Sequence, residues 1–590
     1  MATPRIIVIG GGLAGLSAVI KIAEAGGTVD LFSIVPVKRS HSVCAQGGIN
    51  AAKNLKGEGD TTYKHFDDSI YGGDFLANQT PVKLMCEAAP AIIDLLDRMG
   101  VPFNRTPEGL LDFRRFGGTL YNRTAFAGAT TGQQLLYALD EQVRRYESEG
   151  KVKKYEGWEF LSAVIDSKGV ARGITALDLR TMELRSFPAG AVLLATGGIG
   201  AIFGKSTNSV VCTGSAQSAV FQQGVTYANG EFIQVHPTCI PGEDKLRLMS
   251  ESARGEGGRV WVPRTAGDKR LGRQIPEGER FYFLEEWYPK YGNLVPRDIA
   301  TRAIHKVVYE EGLGLDGQPM VYLDLTHIDR ATLDRKLGGI LDIYEKFVGD
   351  DPHEVPMKIF PGMHYTMGGV WVDFNQMTNI PGIYAIGECD YQYHGANRLG
   401  ANSLLSCIYA GFVAGPHALN YTKNLTAMEG DGGHAAEITR QAEINARLLK
   451  NEGEENPFKL WRELGDTMTK HATVIRYNKG LKQADEKIVE LLDRYKNVSL
   501  ADRSQWANTS FAFARQLKNM LKLARVIAQG AMLRDESRGA HYKPDFPERN
   551  DEQFLKTTKA SYTDSGPRFE FEEVDTQFIQ PRRRSYDAAN

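Results

Sequence analysis

The chain has 590 residues, 42% hydrophobic and 24% charged, with 62 glycines and a net charge of -2 from 70 Lys and Arg against 72 Asp and Glu. That length exceeds what one hydrophobic core organises, so several domains or a large insertion are expected and a small binding module is excluded. The balanced charge excludes a nucleic acid held by bulk electrostatics.

From the N-terminus, Arg5 to Ile9 predicts a buried strand, Leu13 to Ala25 an amphipathic helix and Thr28 to Phe32 a second strand, a β-α-β opening. The strand begins at once, leaving no room for a secretory leader, so a cytosolic-side chain is expected. Between strand and helix, Gly10-Gly11-Gly12-Leu13-Ala14-Gly15 has the G-x-G-x-x-G spacing. Gly10 permits a tight turn, Gly12 lets backbone approach a pyrophosphate, Gly15 allows close helix packing, and the helix N-terminus favours negative charge. In that context the motif predicts an adenine dinucleotide. The acidic residue that closes the second strand in a simple NAD site is replaced by Ser33.

The six cysteines, Cys44, Cys86, Cys212, Cys239, Cys389 and Cys407, lie far apart without a C-x-x-C, so no metal or cluster site and a reducing compartment are expected. The most apolar stretch, Phe187 to Phe203, is short and broken by Pro188 and four glycines nearby, and predicts no membrane helix. Gly190 to Gly198 and Ile380 to Glu388 each read as a strand running into glycine, and are expected in the sheet of the first strand. Between them, Gly242 to about Pro352 is charged and turn-rich, with helical patterning around Arg297 to Glu311, and predicts an inserted domain with edges near 240 and 355. After Gly415 helix formers dominate, with Gly430, Gly432 and Gly433 as a joint. Leu460, Trp461, Leu464 and Met468 form one helical stripe, and Phe513, Leu517, Met520, Leu521, Ala524 and Ile527 a longer one. The tail from His541 carries a short β-like run, Phe569 to Val574, and is expected to wrap the surface or meet a partner.

Ala195-Thr196-Gly197-Gly198 and Gly382 to Glu388 resemble the second and third fingerprints of flavoproteins with two dinucleotide-binding domains, in which FAD lies extended along the sheet. The run Arg39-Ser40-His41 followed by Gln46-Gly47-Gly48-Ile49-Asn50 resembles, more narrowly, the flavoprotein subunit of succinate dehydrogenase and fumarate reductase. Further matching stretches are Arg123 to Gly132, His236-Pro237-Thr238, Glu251 to Gly258, Arg297-Asp298 with Arg302, His364 to Gly369, Asn397 to Leu404 and Arg538 to Tyr542. Thr213-Gly214-Ser215 departs from the Thr-Gly-Asp of many relatives, and with the Gly-Ala-Thr-Thr-Gly run it points to the branch paired with a single diheme cytochrome b.

The resemblance implies an α/β fold: an FAD-binding domain over 1–240 and 356–420, a capping domain over 241–355, a helical domain over 421–540 and a C-terminal region over 541–590. It implies succinate–fumarate interconversion at FAD joined through its 8α carbon to His41. Gly10, Gly12, Ala14, Gly15, Ser33, Ser40, Gln46, Gly47 and Gly48 would hold the cofactor, as would Thr196, Gly197, Ser215, Glu388, Asn402, Ser403 and Leu404. Arg398, a planar bidentate donor, and His364 would take one substrate carboxylate, and His236 and Ser250 the other. Arg297 would give and take the proton, resupplied through Glu251 and Arg254. On residue type alone, His236 is equally a satisfied core histidine, and Glu251 with Arg254 a surface ion pair. An iron-sulfur subunit is the implied electron acceptor, passing electrons to a membrane-anchored diheme cytochrome b and a quinone, with this chain at the cytoplasmic face of the membrane. The alternatives are an L-aspartate oxidase-like flavoenzyme, which holds FAD noncovalently, and a silent flavin-binding scaffold.

Overall fold

The computed structural model describes residues 5–242, 245–425 and 431–586. Its central sheet has five strands in the order Ile383–Ala385, Ala191–Leu194, Ile6–Ile9, Val29–Ser33 and Val152–Glu156, all parallel. Ile6–Ile9 and Ala191–Leu194 are covered on both faces and read as unbroken apolar runs, whereas the edge strand Val152–Glu156 is partly exposed and does not. Ile6 stands beside Ala191, and Val192 beside Ile383, so the three sequence-distant runs do share one sheet.

The first helix, Leu13–Glu24, differs from the expectation of an amphipathic element, because it is buried on nearly every side. The long helix Asn402–Lys423 lies against it, and Gly411 makes this approach possible: a Cβ there would stand 2.6 Å from the Ala14 carbonyl.

A second, antiparallel sheet runs in the order Arg247–Leu248, Ile233–Ile240, Met357–Thr366, Val321–Asp324, Arg259–Pro263 and Arg280–Phe281. The charged middle of the chain therefore hangs from two long paired strands. It buries its own apolar cluster, including Val260, Ile304, Leu323 and Leu337, beneath the helices Arg297–His305 and Arg330–Val348. The helical patterning read to Glu311 ends earlier as α-helix, and Lys306–Glu310 continues as a π-helical turn.

Four helices follow: His434–Lys450, Pro457–His471, Asn478–Tyr495 and Thr509–Leu533. Both predicted stripes face inward, with only Trp461 and Phe513 half-buried. Gly430 of the expected joint lies outside the described residues, while Gly433 takes a φ of 91° just before the first of these helices. The tail's β-like run is the strand Arg568–Glu573, paired with Lys556–Ser561.

Candidate active site

One cavity of 610 Å³ runs from the glycine turn, past residues 40–48, to the base of the cap. The turn is built by backbone demands that other residues cannot meet. Gly10 has φ +111° and its missing Cβ would stand 2.1 Å from the Ala195 carbonyl, while a Cβ on Gly15 would stand 1.9 Å from the Gly10 carbonyl. Gly15 is therefore a packing residue beneath the turn, whereas Gly10, Gly12 and Ala14 line the cavity. Neither the helix starting at Leu13 nor the one starting at Asn402 is capped by its own N-cap residue, although the Leu13 amide donates to the Ser42 hydroxyl at 3.2 Å. Ser403 and Leu404, in the first turn of that second helix, also line the cavity. Uncapped helix starts favour anionic and acceptor groups.

Along the wall, Ser40 Oγ, Gln46 Oε1 and Thr196 Oγ1 are buried without a hydrogen-bond partner in the chain. Gly47 and Gly48 line the cavity and pack tightly against its wall, where a Cβ would stand 2.5 Å from the Phe116 ring and 2.5 Å from the Ala125 carbonyl. Gly197, at φ +74°, continues the wall, and Ser215 opens a short helix there with its Oγ accepting from Asn519 at 2.8 Å. Ser33 also lines it, with its hydroxyl given to the Val35 carbonyl at 2.6 Å. These orphaned polar atoms, glycine cradles and open helix starts fit an extended dinucleotide.

Glu388 enters the same cavity, where burial pushes its carboxyl up to about 8 although the Thr366 amide donates to Oε1 at 3.1 Å. Asn402 differs from the other expected cofactor residues. Its side chain accepts from Asn50 at 2.8 Å, meets His65 at 2.9 Å and donates to Ser69 at 2.9 Å, so it braces the helix start from behind.

His41 lines the cavity on a short 3-10 turn. The Ser209 backbone amide donates to its Nδ1 at 3.1 Å, and the Asn208 side-chain amide lies 3.3 Å from Nε2. Burial, reinforced by Lys245, lowers its pKa to about 4, so the ring is neutral near pH 7.

At the cap end, three buried guanidiniums, those of Arg297, Arg254 and Arg398, converge with one carboxylate. Arg297 Nε and Nη2 donate to Glu251 Oε2 at 3.0 and 2.8 Å, and Arg254 Nη2 donates to Glu251 Oε1 at 2.6 Å. Glu251 and Arg254 side chains are each 1% exposed, which rules out the surface ion pair that their spacing also allowed. Burial works to raise the Glu251 carboxyl, but the two guanidiniums outweigh it and hold it below its ordinary value. Arg254 stands behind the wall, whereas Glu251 and Arg297 are on it.

Arg398 lies over the Tyr365 ring at 4.3 Å, with its Nε buried and unpartnered. Burial and then the nearby Arg297 lower its pKa to about 9. The His236 and His364 rings meet edge to face at 4.9 Å. The Thr238 amide donates to His236 Nδ1 at 3.2 Å, leaving Nε2 buried without a partner, so His236 is not a satisfied core residue. His364 Nδ1 is held by the Thr207 hydroxyl at 2.7 Å, and Ser250 lines the cavity nearby with its hydroxyl 2.9 Å from that of Ser252. Such a set of cations and donors suits a small dianion.

Sequence reasoning missed Gln234, whose Oε1 accepts from Arg297 Nη1 at 2.9 Å while its Nε2 donates to the Arg398 carbonyl at 2.8 Å. The signal was present: Gln234 lies two residues before His236 on one strand, hence on the same face. Asn208 and Ser209 carried no such signal. Gly117 was also missed, although a Cβ there would stand 2.0 Å from Glu251 Oε1. Among the described residues no cluster of His, Cys, Asp and Glu could hold a metal ion, and no helix is long and apolar enough to cross a membrane.

Residues 5–404 match a family described as FAD binding domain, and residues 461–586 one described as fumarate reductase flavoprotein C-term. The succinate dehydrogenase flavoprotein subunit of Bacillus subtilis is 62% identical, over 99% of each chain. The fumarate reductase flavoprotein subunit of Haemophilus influenzae is 36% identical, over 99% of this chain and 96% of the relative. A solved E. coli quinol fumarate reductase superposes with a TM-score of 0.90 at 32% identity, covering 98% of both chains.

Proposed function

Because the chain belongs to the flavoprotein-subunit family of succinate dehydrogenase and fumarate reductase, oxidoreductases of the succinate–fumarate pair that bind FAD, we propose the following division of labour in its site. Arg398 and His364 bind one carboxylate of the substrate, and His236 and Ser250 the other. Arg297 delivers a proton to one methine carbon during fumarate reduction and removes it during succinate oxidation. Glu251 and Arg254 resupply that proton. Bound FAD supplies the hydride acceptor or donor at the other carbon.

The observation that carries this reading is the unbroken run of contacts from Arg297 to Glu251 to Arg254, at 2.8 and 2.6 Å, beside the cations that suit a dicarboxylate. An arginine is a poor acid in water, with a pKa above about 12. Here its guanidinium shares a carboxylate with a second guanidinium, so a proton lost from Arg297 is replaced through Glu251 without opening the site to water. Gln234, on Nη1, fixes the plane of the guanidinium.

His41 is the proposed point of covalent attachment, through Nε2, since the Ser209 amide holds Nδ1 at 3.1 Å whereas Nε2 has only the longer, displaceable contact to the Asn208 side chain at 3.3 Å. The proposed domains are 1–240 with 356–420 for FAD, 241–355 as the cap, 421–540 as helical and 541–590 as C-terminal. Electrons leave through an iron-sulfur subunit to a membrane-anchored diheme cytochrome b and quinone, with the chain peripheral at the cytoplasmic face. The name of the E. coli neighbour, a quinol fumarate reductase, supports a quinone as the end of that route.

Arg297→Lys tests the assignment. Lysine keeps the charge but shortens the reach, so dye-linked turnover should fall by orders of magnitude while flavin content and dicarboxylate affinity persist. If turnover and affinity fall together, Arg297 is an anchor and the proton donor lies elsewhere.

A further inference from the structure

The tail runs along the helices Thr62–Gly72 and Gln79–Arg98 to the helix that carries Arg297. Asp575 accepts from the Thr80 amide at 2.9 Å, and Gln79 Oε1 accepts from the amides of Phe578 and Ile579 at 2.8 Å each. Arg582 then pairs with Asp67 at 2.6 Å, and the Tyr71 hydroxyl accepts from the Ser585 amide at 2.7 Å. All these anchors lie on or beside the helices Thr62–Gly72 and Gln79–Arg98.

From this anchored strap Arg584 reaches into the cap. Its Nη1 and Nη2 donate to the two oxygens of Asp298 at 2.5 and 3.0 Å, with the side chains 6% and 1% exposed. Tyr586 packs edge-on against Tyr291 and Tyr71, sealing the pair. Asp298 directly follows Arg297 in the first turn of the Arg297–His305 helix. Its remaining partners are Arg302 on the same helix at 3.2 Å and Asn397, the neighbour of Arg398, at 3.1 Å.

We propose that Arg584 is a positioning residue for the reaction: the C-terminal strap clamps Asp298, and so holds the first turn of the Arg297–His305 helix at the rotation that keeps the Arg297 guanidinium on Glu251. This rests on Arg297 being the proton donor. A buried ion pair contributes little net stability, because desolvation offsets its Coulomb attraction, but it specifies one arrangement among alternatives. Here the bidentate geometry fixes both the angle and the depth of the helix start. Burial tends to raise the Asp298 carboxyl, and Arg584 outweighs it and holds the group ionised. Without Arg584 the buried carboxylate keeps Arg302, which rides on the same helix, and the Asn397 amide, so no cation outside the helix ties its first turn to the rest of the chain.

The test uses the assembled enzyme with Arg584→Met and Arg584→Lys, read by steady-state kinetics, malonate binding and amide hydrogen exchange. In Arg584→Met, turnover should fall about 100-fold, the cost of a displacement near 1 Å at a reacting group. Malonate affinity should be nearly retained, and exchange in the Arg297–His305 helix should quicken while the Leu13–Glu24 helix is unchanged. Arg584→Lys, which keeps the charge, should recover part of the turnover. Parental turnover, or unchanged exchange in that helix, overturns the proposal. If the Met variant does not assemble, Arg584→Lys decides alone: lowered turnover at kept affinity supports the clamp, and parental turnover refutes it. Should Arg297→Lys instead lose affinity with turnover, the donor assignment fails, and the exchange data still report whether the strap holds the helix.

Discussion

Arg398 sits where an arginine is costly to keep, buried with Arg297 close enough to depress its own pKa. A cation held against such repulsion is relieved when a dianion binds, so its free energy is released on binding. Removing a buried bidentate donor of this kind costs about 2–5 kcal/mol. Arg398→Lys should therefore weaken malonate binding by a corresponding factor, as measured by titration of the flavin spectrum, and parental affinity would remove Arg398 from the substrate site. His41 is the second residue whose surroundings are informative. Its neutral ring has Nδ1 engaged by the Ser209 amide at 3.1 Å, and Nε2, the proposed point of attachment, has only the longer contact to the Asn208 amide at 3.3 Å. In His41→Ser the chain should still bind FAD, but an acid-precipitated pellet should lose its yellow colour. Fumarate reduction with a strong donor should persist while succinate oxidation fails, because the proposed covalent bond would raise the flavin potential. Unchanged succinate oxidation would contradict that account.

The elements show which parts of this arrangement are legible in a sequence. A parallel strand buried on both faces leaves a dense apolar run, so Ile6–Ile9, Ala191–Leu194 and Ile383–Ala385 were found although hundreds of residues separate them. The Leu13–Glu24 helix is legible as a helix but reads as amphipathic, since nothing local reveals that the Asn402–Lys423 helix covers its outer side. Glycines inside helices show the same limit, because the reason for each lies in another element. Gly411 touches the first helix: a Cβ would stand 2.6 Å from the Ala14 carbonyl and 2.7 Å from Ser17 Cβ. Gly338, within Arg330–Val348, has nothing within 4 Å of its Cβ position. The two should respond oppositely to alanine. Gly411→Ala forces two helices apart at a cost of about 1–3 kcal/mol. Gly338→Ala should stabilise by about 0.5–1 kcal/mol through helix propensity. Thermal midpoints moving in the same direction would contradict this reading.

At the scale of the whole molecule, distant segments are tied by charges that no sequence pattern pairs. The match at Arg538 to Tyr542 gave a motif without a mechanism, and its neighbourhood supplies one. Glu231 accepts from Arg534 at 2.8 Å, Arg534 donates to Glu536 at 2.9 Å, and Arg538 donates to both Glu536 oxygens at 2.8 and 2.9 Å. Arg538 also reaches Asp551 at 2.8 Å and the Asp74 carbonyl at 3.0 Å. The line thus joins the end of the Thr509–Leu533 helix, the C-terminal region, the strand leading to His236 and the turn after Thr62–Gly72. Arg534, Glu536 and Arg538 have fully buried side chains, so their charges are balanced only by one another and by the groups they touch. Glu536 is the middle member, a fully buried carboxylate that faces the two fully buried guanidiniums of Arg534 and Arg538. Glu536→Gln keeps its shape but removes the negative charge, which leaves two buried cations side by side with a weaker acceptor between them. Breaking a buried pair from one side costs about 3–5 kcal/mol. The variant should therefore unfold at markedly lower denaturant than the parent. Because the network lies outside the cavity wall, the fraction that folds should bind FAD and malonate with parental affinity. A denaturation midpoint equal to that of the parent would show that water or a neighbouring acid neutralises the pair, and the network would then not be what joins these segments.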